Sequence, residues 1–467
     1  MKKTHLSLLI VFAVGLGLWF SPHSKEIPTA GWHVFSIFVA TILGIILKAM
    51  PIGAMAVLAM TAATVTGTLT LEETLAGFHN DIVWLVVFAF FISRGIIKTG
   101  LGTRIAYGFV YLFGKKSLGL SYSLLGSELI LTPAIPSVTA RTGGVIYPII
   151  IGLARSFGSD PAQGTERLIG SFLLKVAYQG SAITSAMFMT GMAANSFLVC
   201  LTREAGFPIS WGSWAVAACV PGILSLIVMP YVVYKLYPPI MKQTPDAPIL
   251  ASKKLKEMGP LSRKEGLMIF VFVLLLTLWI FGGILCIKAT VAAMVGLALL
   301  LILDILTWQD VIREEGAWDT FIWFSVLIML ATSLNKYGFT AWMSEQFVGM
   351  VTGWPWLVAF LFLVLVYFYS HYFFASNSAH VGAMYTAFLL VIIGLGTSPA
   401  YAIAALGFTT SLCGGLTHYG SGPAPIYYGS GYIDIKSWWK IGFIVSVFNL
   451  IIWLGVGSLW WKFIGLF

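Results

Sequence analysis

The sequence predicts an all-α polytopic membrane protein with two inverted repeats, broken helices and re-entrant hairpins. Hydrophobic residues make up 58% of the 467 residues and charged residues only 10%, whereas about a quarter of the positions in a soluble globular protein are charged. Most of the chain must therefore lie in lipid, and its length leaves room for about ten to twelve spans of about 20 residues. Strand-type alternation is absent, so we expect the spans to be helices.

The formal net charge of +9 comes from basic residues that are dispersed except in one polar stretch. That stretch contains Lys235, Lys242, Lys253, Lys254, Lys256, Arg263 and Lys264. Clustered Lys and Arg in a single loop between apolar segments indicate a cytoplasmic loop. We therefore place 235–265 in the cytoplasm and expect no nucleic-acid partner.

The N-terminus has the charge pattern of a secretory signal, with Lys2 and Lys3 ahead of the apolar run 6–20. No small-x-small cleavage site follows this run. We predict an uncleaved first span with a cytoplasmic N-terminus, in a multi-pass protein of the plasma (inner) membrane.

The cysteines give no sign of a disulfide or metal framework. They lie in or beside apolar segments without CxxC spacing, at Cys200, Cys219, Cys286 and Cys413. Neither a disulfide nor a metal site is expected from this spacing.

The order of features in the first half of the chain recurs in the second half. Further apolar segments lie near 31–49, 54–69, 118–134, 170–200, 214–234, 266–287 and 289–307. Corresponding positions are Leu69-Thr70 and Leu306-Thr307, Asp81 and Asp319, Lys98 and Lys336, Gly100 and Gly338, Ser137 and Ser376, Thr190-Gly191 and Ser421-Gly422. Their shared order and nearly fixed offset predict a duplication. Repeats of this size are the usual build of secondary transporters, whose substrate site lies where discontinuous helices of the two repeats meet.

Each half contains a polar motif that predicts such a discontinuous helix. Ahead of the first motif, Pro133 and Pro136 remove backbone donors, so the helix is expected to unwind around Ser137. The second motif, 374–382, has no proline, and its break depends on three residues whose side chains compete for backbone hydrogen bonds. They are Ser376, Asn377 and Ser378.

Two short apolar segments, 81–98 and 319–336, each open with Asp and close with Lys, and each has a Gly two residues further on. Re-entrant hairpins and ordinary spans both fit this pattern. The sequence therefore leaves the total number of spans open.

The two motifs suit a small dianion. The exposed N–H groups at the N-terminus of a half-helix carry about half a positive charge, and neighbouring hydroxyls add donors. Ser137 and Thr139 supply one such helix end, and Ser376, Asn377 and Ser378 supply the other. Two helix ends fit a substrate with two carboxylates.

Arg141 and the equivalent His380 are two candidate cations beside these helix ends. A charged side chain at mid-membrane depth costs several kcal/mol and indicates a function by default. The alternatives are that Arg141 snorkels to the interface or pairs with Glu128, and that His380 is a hydrogen-bonded core histidine.

A third pair of segments, 180–195 and 414–423, is rich in small and hydroxyl-bearing residues. Small residues permit close helix packing, or the segments face the ligand from the far side. The candidates for that role are Thr417, His418, Ser421 and Gly422. Lys175 is a further candidate cation or a partner for Glu128.

These motifs resemble those of the divalent anion:sodium symporter family, and the resemblance covers essentially the whole chain. The family's twin Ser-Asn-Thr-type motifs are here 137–139 and 376–378. The stretches 136–144 and 417–425 are similar to the exchanger branch. That branch includes bacterial citrate/succinate and tartrate/succinate antiporters and the plastid 2-oxoglutarate/malate translocator.

The resemblance implies a homodimer whose protomers each have a scaffold and a transport domain that moves as an elevator. We accordingly assign 1–70 and 206–310 to the scaffold, 71–205 and 311–440 to the transport domain, and 441–467 to a C-terminal span. Sodium-coupled members use the motif asparagines and nearby carbonyls as ion ligands. Here Val138 replaces the first asparagine, and Arg141 and His380 bring positive charge, so sodium coupling is disfavoured.

We therefore expect a secondary active transporter that exchanges di- or tricarboxylates such as succinate, malate, 2-oxoglutarate, tartrate or citrate. Obligate exchange follows if Arg141 and His380 are unpaired in the empty site, because a buried charge without its partner is strongly unfavourable. The alternative is a sodium- or proton-coupled symporter, with His380 as the proton carrier. Neither HExxH nor GxSxG is present, so an enzyme is not expected. We expect no cofactor or metal, and the expected partners are small carboxylate anions, membrane lipid and a second copy of the chain.

Overall fold

The protein is all-helical, as the sequence predicts. A computed structural model describes residues 3–351 and 353–466, and Lys2 lies outside the described residues. Within these ranges no β-strand is present, and the one bridge of that type joins Lys116 and Gln243. The predicted all-α fold class is therefore confirmed.

The first half of the chain forms eleven α-helices. They are α1 Lys3–Trp19, α2 Thr29–Ile46, α3 Ile52–Val65, α4 Leu71–Leu75, α5 Asp81–Thr99, α6 Leu101–Phe113, α7 Ser117–Leu131, α8 Tyr147–Ser156, α9 Gly170–Met187, α10 Ala193–Glu204 and α11 Trp211–Leu236. A π-helical stretch, Thr139–Ile146, leads directly into α8. The predicted long segment 170–200 is thus two helices separated by a break.

The second half repeats this order after α12, Asp246–Glu257, which lies in the basic loop. The helices are α13 Arg263–Leu285, α14 Ala289–Ile302, α15 Trp308–Ile312, α16 Glu315–Lys336, α17 Phe339–Val351, α18 Trp356–Tyr369, α19 Asn377–His380, α20 Thr386–Gly394, α21 Pro399–Leu412, α22 Ala424–Gly429, α23 Ile435–Ile451 and α24 Gly457–Phe463. A π-helical stretch, Val381–Tyr385, joins α19 to α20.

Corresponding residues of the two halves begin equivalent short helices. Thr70 caps α4, and Glu73 returns a hydrogen bond to the Thr70 backbone; Thr307 and Asp310 form the same capping box on α15. A capping box satisfies two backbone donors that a helix N-terminus otherwise leaves free. The structure thus supports the duplication with hydrogen bonds as well as with sequence order.

Two ion pairs connect the halves of the chain, and each joins a lysine of one half to an acid of the other. Lys98, at the end of α5, places its Nζ 2.6 Å from Asp310 Oδ2 on α15. Lys336, at the end of α16, places its Nζ 2.5 Å from Glu73 Oε1 on α4. Since Lys98 corresponds to Lys336 and Glu73 to Asp310, the pairs are related by the symmetry of the repeat.

Eight helical segments within the described residues are long and apolar enough to cross a membrane. They are Thr29–Ile46, Asp81–Thr99, Trp211–Leu236, Arg263–Leu285, Glu315–Lys336, Trp356–Phe373, Asn377–Gly394 and Ile435–Phe463. Three shorter apolar helices are His5–Trp19, Ile52–Val65 and Ala289–Ile302. The two segments whose nature the sequence leaves open, 81–98 and 319–336, are continuous helices with no internal turn.

The chain reverses direction at the first polar motif. Thr142 Oγ1 donates a hydrogen bond of 2.7 Å to Glu128 Oε1, although 14 residues separate the two. A continuous helix would hold them about 21 Å apart along its axis. We call this antiparallel arrangement of α7 and α8, residues 117–156, the first hairpin.

The second motif lies at an equivalent reversal. The rings of Tyr367 and Phe388 are 5.6 Å apart, whereas 21 residues of continuous helix would separate them by about 31 Å. We call this unit, residues 356–394, the second hairpin. The hairpins therefore lie one helix pair beyond 81–98 and 319–336, the two segments whose nature the sequence leaves open, and the polar motifs are at their tips.

Candidate functional site

The two hairpin tips have the same backbone course. In each, an α-helix gives way to a short 3-10 turn, Thr132–Ala134 or Ser370–Phe373, and then to a non-helical segment, 135–137 or 374–376. Prolines interrupt the first helix, as predicted. The second has none, so the predicted break without proline is confirmed as well.

A serine caps the returning arm of each hairpin. Ser137 Oγ accepts a hydrogen bond of 3.2 Å from the backbone N–H of Ala140. Ser376 Oγ accepts one of 3.5 Å from the N–H of Ala379. This capping interaction satisfies one backbone donor, and the preceding N–H groups at each tip remain available to a ligand. The serines therefore build the two helix ends that the sequence predicts.

Both returning arms continue as π-helix immediately after the motif. These stretches are Thr139–Ile146 and Val381–Tyr385. Short π-helical segments are rare and occur mostly at functional sites. Their presence at equivalent places in both halves indicates that the widened geometry belongs to the site.

The two tips meet at one small cavity. Its lining residues are Val138, Tyr178, Ser181, Ala182, Ser185, Met192, Asn377, Ser411, Gly414 and Ser421. The lining offers hydroxyl and amide groups and, within the described residues, no carboxylate. The cavity volume of about 20 Å³ holds about one water molecule, so a larger ligand requires the tips to separate.

Tyr178 is a lining residue that sequence reasoning missed. Its hydroxyl lies 2.9 Å from Ser421 Oγ and donates to the carbonyl oxygen of Gly414 at 2.7 Å. The signal was present, because 178, 181 and 185 share one face of α9 at i, i+3 and i+7 spacing. Tyr178 thereby ties the unwound segment after α21 to the wall of the cavity.

Gly422 contacts the first tip from the far side. A Cβ at this position would lie 2.2 Å from Thr139 Oγ1, so only glycine allows this approach. Thr417 is buried nearby, and its hydroxyl has no hydrogen-bond partner within the described residues. His418 instead accepts from Trp439 Nε1 at 3.1 Å and packs among aromatic rings, away from the cavity lining.

Arg141 lies beneath the first tip and is fully buried. Its Nε is 3.3 Å from Glu128 Oε1. Its Nη groups donate to the carbonyl oxygens of Ile135 (2.5 Å) and Gly191 (3.0 Å) and to Ser185 Oγ (2.8 Å). The open alternative of a pair with Glu128 is therefore what the structure has.

This pairing corrects one premise of the sequence analysis. An unpaired guanidinium in the empty site does not occur, because Glu128 neutralises Arg141 before any ligand arrives. The charge remains buried because a carboxylate and three further oxygen acceptors replace its hydration. Arg141 therefore supports the tip from beneath and is absent from the cavity lining.

His380 is equally buried beneath the second tip. Its Nε2 lies 3.0 Å from Ser370 Oγ, and its Nδ1 lies 3.9 Å from Cys413 Sγ. The ring stacks on that of Tyr367, with centroids 4.5 Å apart. His380 is thus a hydrogen-bonded core histidine at the site, which was the alternative for this residue.

Lys175 does not pair with Glu128. Its buried ammonium donates to the carbonyl oxygen of Trp438 at 3.0 Å and lies 4.2 Å from the centre of the Trp438 ring. No ion pair to Lys175 is present among the residues that the structure describes. Lys175 lies one turn before Tyr178 on α9, so it flanks the cavity without lining it.

The small residues of 180–195 serve packing and support. A Cβ on Gly180 would lie 2.0 Å from Leu125 Cδ2, as the packing alternative requires. Asn195 donates to the carbonyl oxygens of Ser185 and Phe188 and accepts from Ser411 Oγ at 2.8 Å. It therefore fixes the break between α9 and α10 against α21.

The predicted site residues thus occupy three positions. Val138, Asn377 and Ser421 line the cavity. Ser137, Thr139, Ser376, Ser378, Thr417 and Gly422 lie at the tips or against them. Arg141 and His380 lie beneath the tips, and His418 lies to one side. The tertiary structure brings the two motifs together, as the sequence predicts.

The family model and the related sequences agree on the kind of protein. A family model described as the sodium:sulfate symporter transmembrane region matches residues 2–467. A putative malate transporter of Bacillus subtilis is 56% identical over 460 residues, covering 98% of this chain and 96% of that protein. Chloroplastic dicarboxylate transporter 1 of Spinacia oleracea is 49% identical, covering 98% of this chain and 81% of that protein.

A solved structure supports the fold alone. The YdaH transporter of Alcanivorax borkumensis, whose crystal structure has been described as having an unusual topology, is 12% identical with a TM-score of 0.56. The alignment covers 100% of this chain and 99% of that one.

Proposed function

The chain belongs to the sodium:sulfate symporter family, also called the divalent anion:sodium symporter family, and on this basis we propose that it exchanges di- or tricarboxylates across a membrane. The observation that carries the proposal is the shared cavity of the two hairpin tips. Two capped helix ends, whose serines Ser137 and Ser376 are 239 residues apart in the chain, converge on donors without a lining carboxylate within the described residues. Such an environment replaces the hydration of carboxylate groups.

Relatives support the substrate class. Proteins similar over nearly the whole chain are named malate or dicarboxylate transporters. A dicarboxylate fits two helix ends, because each carboxylate can accept hydrogen bonds from one tip. The hydroxyl of Ser421, which Tyr178 holds at 2.9 Å, supplies a donor between the tips.

Sodium coupling is disfavoured at the first tip for two reasons. Val138 lines the cavity where a motif asparagine would supply an amide oxygen, and a valine side chain offers no ligand. The guanidinium of Arg141 also takes the carbonyl oxygens of Ile135 and Gly191, which are the kind of oxygen that Na⁺ needs. A resident side-chain cation, balanced by Glu128, takes the place of a mobile ion.

Exchange follows from the cost of the empty site. When substrate leaves, donors at both tips lose their acceptors, and a buried polar group without a partner costs about 1–3 kcal/mol. The substrate-free site therefore crosses the membrane slowly, and a second carboxylate has to bind before the carrier returns. This replaces the unpaired Arg141 as the barrier to uncoupled return.

We assign the motion to an elevator, with 71–205 and 311–440 as the transport domain and 1–70 and 206–310 as the scaffold of a homodimer. The small volume of the cavity favours a step in which the hairpin tips separate to admit substrate. By these bounds the Lys98–Asp310 pair joins the transport domain to the scaffold, whereas the Lys336–Glu73 pair joins the two repeats within the transport domain.

The experiment is labelled malate uptake into proteoliposomes, with and without unlabelled malate inside. We expect uptake only into loaded vesicles, with no dependence on a sodium gradient. Sodium-driven uptake into empty vesicles would indicate symport, and accumulation driven by a pH gradient alone would indicate proton coupling. Competition by succinate, 2-oxoglutarate, tartrate and citrate then ranks the substrates.

A further inference from the structure

We propose that His371, His380 and Cys413 form a buried binding site for a thiophilic monovalent cation of the Cu⁺ type. One ligand atom from each residue lies within 4.8 Å of the other two, and all three residues are buried. His371 and His380 are nine positions apart in the sequence, and Cys413 follows His380 by 33 positions. This is not a spacing typical of metal ligands. Only the second hairpin and the end of α21 bring them together.

His371 presents a free ring nitrogen to this cluster. Its Nε2 lies 2.8 Å from the carbonyl oxygen of Gly420. A carbonyl only accepts, so Nε2 carries the proton and Nδ1 has a free lone pair. That Nδ1 has no hydrogen-bond partner within the described residues. A histidine that donates its other N–H to a backbone carbonyl has the usual orientation of a metal ligand.

His380 has the same tautomer for a related reason. The hydroxyl of Ser370 donates to the carbonyl oxygen of Tyr367 at 2.7 Å, so its oxygen accepts the His380 Nε2 proton at 3.0 Å. His380 Nδ1 is then also a lone pair, and it lies 3.9 Å from Cys413 Sγ. His380 therefore directs a neutral nitrogen ligand at the Cys413 thiol, and Nδ1 is the nitrogen with which His371 can bind the same ion.

The surroundings select the charge and softness of the ion. Metal–ligand bonds of about 2.0–2.3 Å place three trigonal ligands roughly 3.5–4 Å apart, so side-chain shifts of about 1 Å close the site. The Cys413 thiol, which donates to the Thr410 carbonyl oxygen at 3.1 Å, releases its proton to water when it binds the ion. The resulting thiolate and two neutral imidazoles make a neutral complex with a monovalent ion, whereas a divalent ion leaves a net charge in an apolar pocket formed partly by Tyr367 and Phe374. Thiolate ligands select soft ions such as Cu⁺.

Binding would close the second hairpin. His371 and His380 lie on either side of the motif 376–378, and Cys413 directly precedes Gly414 of the cavity lining. A metal that joins all three would hold the tip against α21 and prevent the separation that substrate requires. This consequence rests on the proposed transport function, whereas metal binding itself does not.

Binding is tested first, on the purified full chain without substrate. Cu⁺ is supplied as its bathocuproine disulfonate complex, and transfer is followed by the absorbance of that complex. We expect one more equivalent bound by the wild type than by Cys413→Ser or His371→Ala. Cys200→Ser is the matched control, because Cys200 is also a buried free thiol and its substitution should not change the stoichiometry.

Equal stoichiometry in wild type and Cys413→Ser would overturn the site. As a control, melting curves of the metal-free variants are recorded to check that the variants are folded. If a variant melts early, Cu⁺ protection of Cys413 from alkylation in the wild type gives the same information: we expect protection of at least tenfold, and no protection contradicts the site.

Inhibition is tested next, by malate exchange in proteoliposomes. We expect Cu⁺ to lower wild-type exchange at least tenfold and Cys413→Ser exchange less than twofold, each relative to its own metal-free rate. If wild-type exchange is undiminished with metal bound, the metal does not hold the second hairpin closed. An absence of exchange without metal would contradict the proposed function and leave the binding result standing.

Discussion

Glu128 and Arg141 form a completely buried ion pair across the first hairpin, with Arg141 Nε 3.3 Å from Glu128 Oε1. Thr142 donates to the same carboxylate oxygen at 2.7 Å. The second oxygen, Oε2, has no hydrogen-bond partner within the described residues. The pair therefore holds the two arms of the hairpin together. Few other groups stabilise the Glu128 carboxylate, which depends on Arg141.

We expect Arg141→Met to destabilise the protein by about 3–5 kcal/mol, because it leaves the Glu128 carboxylate buried without its cation. The double variant Glu128→Gln/Arg141→Met should recover more than half of that loss, since no charge remains. Melting of the detergent-solubilised proteins measures both effects. A double variant that is no more stable than Arg141→Met would show that the carboxylate has another partner.

Tyr178→Phe should lower malate exchange by about tenfold, because it removes a hydroxyl that joins Ser421 to the Gly414 carbonyl, and such a bond contributes about 0.5–1.5 kcal/mol. Tyr432→Phe is the matched control: its hydroxyl bonds the Ser159 carbonyl at 2.7 Å, outside the cavity. Equal exchange rates in the two variants would exclude Tyr178 from the site.

Gly422→Ala should impair exchange by a similar factor, since the new methyl would lie 2.2 Å from Thr139 Oγ1 and overpacking costs about 1–3 kcal/mol. Adding Thr139→Ala removes the clashing oxygen. The double variant should then exchange as fast as Thr139→Ala alone. If Gly422→Ala slows exchange equally in both backgrounds, the clash is not the cause.

Lys175→Met should melt at or above the wild-type temperature. The ammonium has one carbonyl acceptor and the Trp438 ring, and a cation–π contact is worth about 2 kcal/mol when desolvated. Burial of an ion without a counter-charge costs several kcal/mol. The methionine removes this burial penalty, which is larger than the cation–π stabilisation that is lost with the ammonium. A drop of several degrees would reveal an anionic partner.

The ion pair of Lys336 with Glu73 should weaken in acid. The hydrogen bond from Lys336, together with that from the Thr70 backbone, lowers the pKa of Glu73 from its ordinary 4.5. The stabilisation is complete above the unfolded-state pKa and declines as the pH falls below about 4.5. Because the pair is exposed, the effect is small, and the wild-type Tm should fall by about 1–2 °C relative to Glu73→Gln between pH 6 and pH 4. Parallel Tm curves for the two proteins would contradict this linkage.

Local sequence was sufficient for the breaks at the tips. Pro133 and Pro136 lack backbone donors wherever they are placed in a helix, and Ser376 competes for the backbone through its own hydroxyl. The sequence left open, for a physical reason, whether 81–98 and 319–336 are hairpins or spans. A helix that crosses a membrane and an arm that returns have the same apolar composition, so only contacts such as Thr142 with Glu128 distinguish them.

The sequence by itself determined the membrane environment, the helical class, the duplication and the two polar motifs, because each depends on composition or on neighbours along the chain. Only the tertiary structure decided which charges meet. Arg141 is paired with Glu128, Lys175 is left with a carbonyl and a ring, and Cys413 faces two histidines. Those outcomes depend on distances between helices that are far apart in the chain, and Coulomb and coordination energies change steeply over a few ångströms.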